Sequence, residues 1–447
     1  YLSVSVVIPE QKVEDGVVRL QVVEGVVERL KVSGNRYFER GEIRARVSEL
    51  APGSVPHFPA MQAQLGELSR TPDRRVTPLL RPGKTPGKLE VELVVEDQLP
   101  LHGSIELNNR QSPGTTAQRL EAGLRYDNLF QRQHSAGLNY VVSPEKPSEV
   151  NVLSGFYALP LGKGRSLTLS ALHSNSNILS AESGVAGKGD TLSLYLSLPL
   201  PGLTTDPTFF HSVALGADRK DFKETSNILG ADSKVSPLRY LPFTTRYTLG
   251  RFTESGDLLG NLSHTFAVRG ASQRLVDCQG VQLDQFECRR AGARANFSYL
   301  RGDLSWVRRV LSWEYSARAD FQAAGEPLVS NEQFLAGGLD SVRGYLEGEA
   351  AGDYGVRLRA EVKTPSILAS DTLALRGTGF LDAAYLRLQD PLPGQTDVFR
   401  LLGTGIGLRL VAAKHYELNV DLGHALRPGP RTVSGESRIH VRLKASF

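Results

Sequence analysis

Apolar and polar side chains alternate along many short segments of this chain, and a period of two is the pattern of β-strands. From Ile439 to Phe447 every second residue is apolar, and the residues between them are polar or charged. The segment from Val356 to Lys363 follows the same rule. Each such strand has one apolar and one charged face, so the two faces must lie in different environments.

Composition limits what those environments can be. The 447 residues have a mean hydropathy of -0.22 and no run of eighteen apolar residues, which argues against a transmembrane helix. Forty-four glycines and many short connections favour an all-β protein. The net charge of +4, without a basic block, gives no support for binding to nucleic acid. Either a soluble sandwich or a membrane barrel remains possible, because a barrel spreads its apolar residues too thinly for a hydropathy average to detect.

Connection lengths decide between the two. Short turns such as 161–164 and 412–415 alternate with long polar loops such as 174–187, 218–236 and 326–354, as in outer-membrane barrels whose long loops lie outside the cell. We therefore predict a transmembrane antiparallel β-barrel of about sixteen strands. The predicted strand centres are Ile105, Leu120, Leu138, Leu153, Leu169, Leu194, Ala214, Thr245, Leu262, Ala295, Glu314, Leu358, Gly379, Ile406, Leu418 and Val441.

A different pattern precedes Pro100. Strand-like Glu28–Ser33 is followed by helical spacing over Arg40–Leu50 and from Pro59 to Ser69, and then by strands at Arg75–Leu80 and Lys88–Val95. The predicted order is β-α-α-β-β. Two strand-like segments, 1–8 and 16–23, come first. The chain begins at Tyr1 and not at Met, so we interpret it as starting inside a larger precursor.

Two motifs carry a resemblance to a known family. The segment Phe334–Tyr345 ends in Val342-Arg343-Gly344-Tyr345, and Gly379-Phe380-Leu381-Asp382 follows on the thirteenth predicted strand. These resemble the loop signature and the aspartate strand motif of the Omp85 superfamily, in the form found in TpsB transporters of two-partner secretion, the exporters of haemolysin and filamentous haemagglutinin. The N-terminal segments resemble POTRA domains, so the resemblance covers the whole chain.

The resemblance implies three parts: residues 1–24 as the end of a first POTRA domain, 25–97 as a second, and 98–447 as a barrel with loop 326–354 folded inward. It implies an outer-membrane pore that secretes an unfolded TpsA-type exoprotein without ATP, with the POTRA domain in the periplasm and lipid or lipopolysaccharide around a monomeric barrel. An Omp85-type insertase is the alternative. A plain diffusion porin is a weaker rival, because porins lack both the POTRA unit and the loop motif.

The motifs suggest how the loop is held. Arg343 and Asp382 can form a bidentate ion pair, which would offset the entropy of ordering the loop, about 1 to 2 kcal/mol per backbone residue. An Arg-Gly pair standing alone would more often be a solvated turn. With the two motifs together, we predict a loop anchor that comprises Val342, Arg343, Gly344, Tyr345, Phe380 and Asp382.

Two further sets of residues are predicted to meet the secreted chain. The charged faces of the strands would line the lumen through Arg357, Arg359, Lys363, Arg376, Arg442 and Lys444. By analogy with the family, the second helix and the strand after it would bind the partner through Met61, Leu65, Arg75, Val76 and Thr77. The alternative for this region is a small α+β domain without a partner.

The remaining motifs do not indicate an enzyme. Cys278 and Cys288 predict a disulfide in a loop, and a zinc site is the less favoured alternative because no histidine lies between them. Gly83-Lys84-Thr85 lacks the context of a phosphate-binding loop. Gly403, Gly405 and Gly407 are interpreted as inward-facing positions that leave the lumen open. We find no HExxH or GxSxG motif, and predict no catalytic site, cofactor or metal.

Overall fold

The computed structural model describes residues 4–12, 16–69, 71–85, 87–176, 179–180, 185–203, 206, 208–224, 237–278 and 280–447. It contains two compact units, one of residues 1–101 with 126–135 and the other of residues 102–125 with 136–447. Within the described ranges, no helix has the length and apolar character needed to cross a membrane. Parts of the predicted first segment, residues 1–3, lie outside these ranges.

The N-terminal unit is an α+β structure, and the predicted β-α-α-β-β order is confirmed. Strands β1 and β2 form a separate antiparallel pair, whereas β5 lies between β3 and β4, parallel to β3 and antiparallel to β4. The elements are β1 Val4–Val7, β2 Gln21–Glu24, β3 Val26–Ser33, α1 Arg40–Ala45, a 3-10 turn Ser48–Leu50, α2 Phe58–Leu68, β4 Arg74–Pro82 and β5 Lys88–Asp97.

The prediction of partner binding is wrong for three of the five residues. Met61, Leu65 and Val76 are 3%, 8% and 7% exposed and belong to the hydrophobic core of this unit. Helical spacing puts Met61 and Leu65 on the same stripe of α2, and that stripe packs against the sheet and therefore cannot contact another protein. Arg75 and Thr77 remain exposed on β4, whose only partner within the described residues of this unit is β5.

This burial makes a testable prediction for the unit. We expect Met61→Ala to destabilise it by about 2 to 5 kcal/mol, because the substitution leaves a cavity in the core. Limited trypsin digestion of the purified protein in detergent should then cut residues 26–97 faster. Gln62→Ala, on the exposed face of the same helix, is the matched control and should be cut at the parental rate. Equal rates for all three proteins would contradict the core assignment.

The larger unit is built of long antiparallel strands and short loop elements. Its strands are β6 Leu101–Asn108, β7 Arg119–Leu129, β8 His134–Val142, β9 Asn151–Pro160, β10 Ser166–Ser174, β11 Leu179–Ser180, β12 Val185–Ala186, β13 Lys188–Pro199, β14 Phe209–Glu224, β15 Leu238–Tyr240, β16 Pro242–Thr253, β17 Gly256–Ala267, β18 Leu275–Cys278, β19 Val281–Asp284, β20 Ser298–Val310, β21 Trp313–Ala324, β22 Phe334–Ala336, β23 Ala350–Gly352, β24 Tyr354–Lys363, β25 Leu368–Ala369, β26 Leu373–Arg387, β27 Val398–Ala412, β28 Tyr416–Ala425 and β29 Ser437–Ser446. The helices are α3 Arg269–Ser272 and α4 Gln285–Arg289, with a 3-10 turn Ser330–Glu332.

The long strands close into the predicted barrel. Strand β29 pairs with β6, from Arg442 opposite Asn108 to Ser446 opposite Ser104, and the sheet order is continuous around the ring. Short β15 continues into β16, and β25 extends the pairing of β24 along β26, so the ring has sixteen strands. Every predicted centre lies in its strand except Ala295, which is in the loop before β20. Ala293, Ala295 and Phe297 alternate like a strand, but they are buried in a loop cluster.

Exposure separates the two faces of the wall. On β24, Leu358 is 51% exposed, whereas its neighbours Arg357 and Arg359 are partly buried on the other face. Exposed leucines continue this outer band around the barrel. Long loops follow β6, β10, β14, β17 and β21, whereas tight turns follow β7, β16, β20 and β27, so the predicted alternation is confirmed. We call the two rims the long-loop end and the short-turn end.

Candidate functional site: an anchored inner loop

The connection between β21 and β24, residues 325–353, is here called loop 6, and the structure describes all of it. Strands β22 and β23 pair within it, and the VRGY motif lies between them. Apolar residues of loop 6, including Val342 and Tyr345, form a buried cluster with Ala384 and Leu386 of β26 and Leu401 of β27. Loop 6 therefore packs on the inner face of the wall formed by β24 to β28.

Arg343 is the centre of this contact. Its side chain is fully buried, and it donates to both carboxylate oxygens of Asp382, from Nε at 2.7 Å and from Nη2 at 3.0 Å. Its Nη1 donates to Glu361 at 2.6 Å, and its backbone N–H also donates to Asp382. The structure thus brings together the two residues that the sequence paired. Burial by itself lowers the pKa of Arg343, but the bonds and charges of Asp382 and Glu361 outweigh it and raise the pKa above its usual value.

A second layer of charge surrounds the pair. Asp421 on β28 lies 3.9 Å from Arg343, and its Oδ2 accepts from Arg409 Nη2 at 2.9 Å. Arg409 also lies 3.7 Å from Glu361, while Arg359 lies 3.6 Å from Asp382. The three carboxylates and three guanidinium groups balance one another in formal charge, which is what a buried ionic network requires. The sequence motifs identified only two of these six residues, Arg343 and Asp382. The alternation of charged and apolar residues along β24, β27 and β28 was the signal for the other four.

Close packing explains the other motif residues. The Arg343 guanidinium lies 3.4 Å from the centroid of the Phe380 ring, a cation–π contact. Gly344 has φ +98°, and an added Cβ would meet Ala425 N at 3.1 Å, so a glycine fits both the conformation and the space. The Gly344 N–H donates to His440 Nε2 at 3.1 Å. Tyr345 is buried and donates its hydroxyl to Arg427 O at 2.7 Å.

The glycines of β27 do not serve an open lumen, which corrects the sequence interpretation. A Cβ on Gly403 would lie 2.0 Å from Arg343 O, and one on Gly407 would lie 2.0 Å from an oxygen of Asp421. Gly405 is covered by Phe380 in the same way. Loop 6 occupies the space that a side chain would need at Gly403, and the charged network occupies that space at Gly407.

Buried acids connect loop 6 to its neighbours. Glu349 is fully buried and accepts from the backbone N–H groups of Arg431 and Thr432 in the loop after β28. Glu347 accepts from Leu339 N within loop 6, and its backbone N–H donates to Gln111 O in the loop after β6. Burial is the largest influence on the pKa of Glu347 and raises it to about 7, although Arg110 opposes the shift.

Asp353, at the end of loop 6, holds three loops together. It is fully buried and accepts from Arg290 at 2.5 and 2.6 Å, from Leu328 N at 3.0 Å and from Gln389 N at 2.6 Å. Arg290 belongs to the loop after β17, residues 268–297, here called loop 5. The structure joins Cys278 and Cys288 of loop 5 in a disulfide. No sequence pattern indicated the contact between Arg290 and Asp353, because both residues lie outside regular strands.

The six predicted lumen-lining residues all lie on the inner face, but several of them bind loop 6 or neighbouring side chains. Arg357 donates to Leu335 O of loop 6 and lies over Phe334, while Lys363 binds Glu314 at 2.8 Å. Arg359 belongs to the network around Asp382. Arg376 is opposite Arg409, and Lys444 is opposite Glu417 and Glu106. Arg442 faces Asn419. The inner surface near loop 6 is thus a wall of paired charges.

Comparisons with known proteins agree with this geometry. The family model described as "Haemolysin secretion/activation protein ShlB/FhaC/HecB" matches residues 87–410. Outer membrane transporter CdiB of Dickeya dadantii is 24% identical over 383 residues, which is 81% of this chain and 63% of that protein. Heme/hemopexin transporter protein HuxB of Haemophilus influenzae is 22% identical over 95% of this chain and 74% of its own length. The chain therefore spans less than two thirds of that CdiB. The solved structure of CdiB from Escherichia coli shares the fold, with a TM-score of 0.72 at 19% identity, over 100% of this chain and 81% of that one.

Proposed function

Because the chain belongs to the haemolysin secretion/activation protein family ShlB/FhaC/HecB, we propose that it forms an outer-membrane pore that secretes an unfolded partner exoprotein. The observation that carries the proposal is the buried Arg343–Asp382 pair, which fixes loop 6 on one wall of a sixteen-stranded barrel. A barrel of this size is wider than its own side chains can fill. A loop fixed to one wall narrows the lumen and still leaves the opposite wall available to a passing chain.

The N-terminal unit is proposed to be a periplasmic POTRA domain that captures the partner. Strand β4 is at an edge of the sheet, and Arg75 and Thr77 are exposed on it. An edge strand presents backbone N–H and C=O groups to which an extended segment can add as a further strand. Arg75 and Thr77 replace the buried Met61, Leu65 and Val76 as the proposed contact. The outer band of exposed leucines would face lipid or lipopolysaccharide.

Transport would require no nucleotide. Folding of the exoprotein outside the cell, with a net stability of about 5 to 15 kcal/mol for a typical domain, would oppose its return into the pore. The proposed cargo is therefore a protein that enters as an extended chain and folds only after it emerges.

Secretion in cells tests the proposal. We expect cells that produce this protein together with its partner exoprotein to release that exoprotein into the medium, as measured by immunoblotting. Removal of the exoprotein's N-terminal export segment should abolish release and leave the pore in the membrane. The insertase alternative predicts another result: loss of the protein would lower the abundance of other outer-membrane barrels, with no specific effect on one exoprotein.

A further inference from the structure

The inner surface of the barrel has two chemically different walls. On β20 to β28 the inward positions carry ion pairs such as Arg318 with Asp320 at 2.9 Å and Lys363 with Glu314 at 2.8 Å. Across β8, β9, β10 and β13, all of whose residues are described, the inward face carries no charged side chain. Loop 6 packs on the charged side. The uncharged side is here called the smooth wall.

Strand register identifies the inward residues of the smooth wall. Ser170 is opposite Phe156 on one side and Ser193 on the other, so the three share a face. The neighbouring Leu169 is 45% exposed and belongs to the outer apolar band. The inward set comprises mostly small and hydroxyl-bearing side chains, for example Ser154, Ser170, Thr191 and Ser193, and it also includes the larger Phe156 and Leu172.

This wall borders open space. A cavity of about 820 Å³ is lined by inward residues of the smooth wall, among them Asn139, Ser154 and Ser193. Its lining also includes charged residues of the neighbouring strands β7, β14 and β29, namely Arg125, Asp218, Lys220 and Lys444. The fully buried Arg343, in contrast, shows that the opposite side is filled by loop 6.

We propose that the exoprotein crosses the barrel along the smooth wall while loop 6 stays anchored to the charged wall. This inference rests on the proposed secretion function and assigns the surface that it uses. The occupant is an extended polypeptide, which offers backbone N–H and C=O groups at a rise of about 3.3 Å per residue. Serine and threonine hydroxyls can both donate to and accept from such groups, so each bond to the wall can be exchanged as the chain advances.

The absence of charged side chains on the inward faces of these four described strands suits a cargo of mixed composition. An unfolded chain carries side chains of both signs. A row of unpaired charges in a narrow lumen of low effective dielectric would hold segments of the opposite sign and repel those of the same sign. The smooth wall does neither. On the charged wall, the arginines and acids already neutralise one another, and they hold loop 6 in place.

Site-specific photo-cross-linking in cells provides the test. A photoreactive phenylalanine would replace Ser170 or Ser193 on the smooth wall, Arg376 or Arg318 on the charged wall, or Ala171 on the outer face as the matched control. The probe is the exoprotein used to test the proposed function, fused to a tightly folded domain that stalls it in the barrel. We expect cross-links from Ser170 and Ser193, and none from Ala171. Cross-links that are strongest at Arg376 or Arg318, or equal on both walls, would overturn the inference.

A steric block gives a second, independent measurement. We expect Ser170→Trp to lower secretion roughly tenfold or more, because the indole would fill the space that the chain needs. Ala171→Trp places the same side chain on the lipid face and should leave secretion unchanged. Heat-modifiable gel mobility would show that both barrels are folded. Normal secretion through a folded Ser170→Trp barrel would refute the smooth-wall path and leave the secretion function intact, whereas failure of the parental protein to secrete would refute the function itself.

Discussion

Replacing Arg343 by alanine is expected to release loop 6 from the barrel wall and to abolish secretion. The substitution leaves Asp382 and Glu361 without the cation that binds both. Removal of one partner from a buried ionic pair costs about 3 to 5 kcal/mol, because the remaining charge stays out of water. Arg343→Lys should give an intermediate result, since an ammonium group keeps the charge but cannot form the bidentate contact with Asp382.

Cysteine labelling measures this release directly. Ser341 is 2% exposed, and its Oγ accepts from Gly337 N at 2.7 Å, so a cysteine at this position should be protected from maleimide while loop 6 is anchored. The native cysteines are joined in a disulfide and would not react. We expect rapid labelling of Ser341→Cys in the Arg343→Ala protein and slow labelling in the Arg376→Ala control. Protection that persists without Arg343 would show that the apolar cluster alone holds the loop.

Local patterns predicted the parts of this fold that depend on local chemistry. A period of two located fifteen of the sixteen strands by their centres, because an outer face in lipid and an inner face in water impose that period directly. The exception, Ala295, shows the limit: alternation in a loop arises from tertiary packing, in this case against Phe286 and Leu328. The pairing of Arg343 with Asp382 came from two motifs together.

Residues whose role depends on distant partners could not be predicted. Met61 and Leu65 have the spacing of an apolar stripe, and that pattern alone does not say whether the stripe binds the domain's own sheet or another protein. Glu349 and Asp353 have no motif, and their partners are backbone groups of other loops, such as Thr432 N and Gln389 N. A backbone donor leaves no trace in the sequence, so these anchors become visible only in the structure.

The second large effect is expected at Asp353, the residue that joins three loops of the barrel. We expect Asp353→Asn to loosen the long-loop end and to raise the single-channel conductance in planar bilayers. Asparagine has nearly the same size, but it is neutral and cannot form the paired charge-assisted bonds that Arg290 makes to the carboxylate. The partly buried guanidinium of Arg290 would lose its counter-charge, and because solvent screens it in part, we expect a loss smaller than the roughly 3 to 5 kcal/mol of a fully buried pair.

The Arg343 and Asp353 contacts have separate partners, so we expect the loss of one to leave the other intact. Asp353→Asn is expected to weaken the attachment of loop 5, because Arg290 would keep only its bonds to Leu328 O and Gln389 O. The Arg343–Asp382 pair should still hold the tip of loop 6 on the wall, so Ser341→Cys should remain protected. Digestion of loop 5 by an added protease should become faster. Asp277→Asn is the matched control, because Asp277 is an exposed carboxylate of the same loop whose Oδ1 accepts from Gly280 N. If Asp353→Asn exposed Ser341→Cys as strongly as Arg343→Ala does, the two contacts would form a single cooperative unit and independent anchors would be excluded.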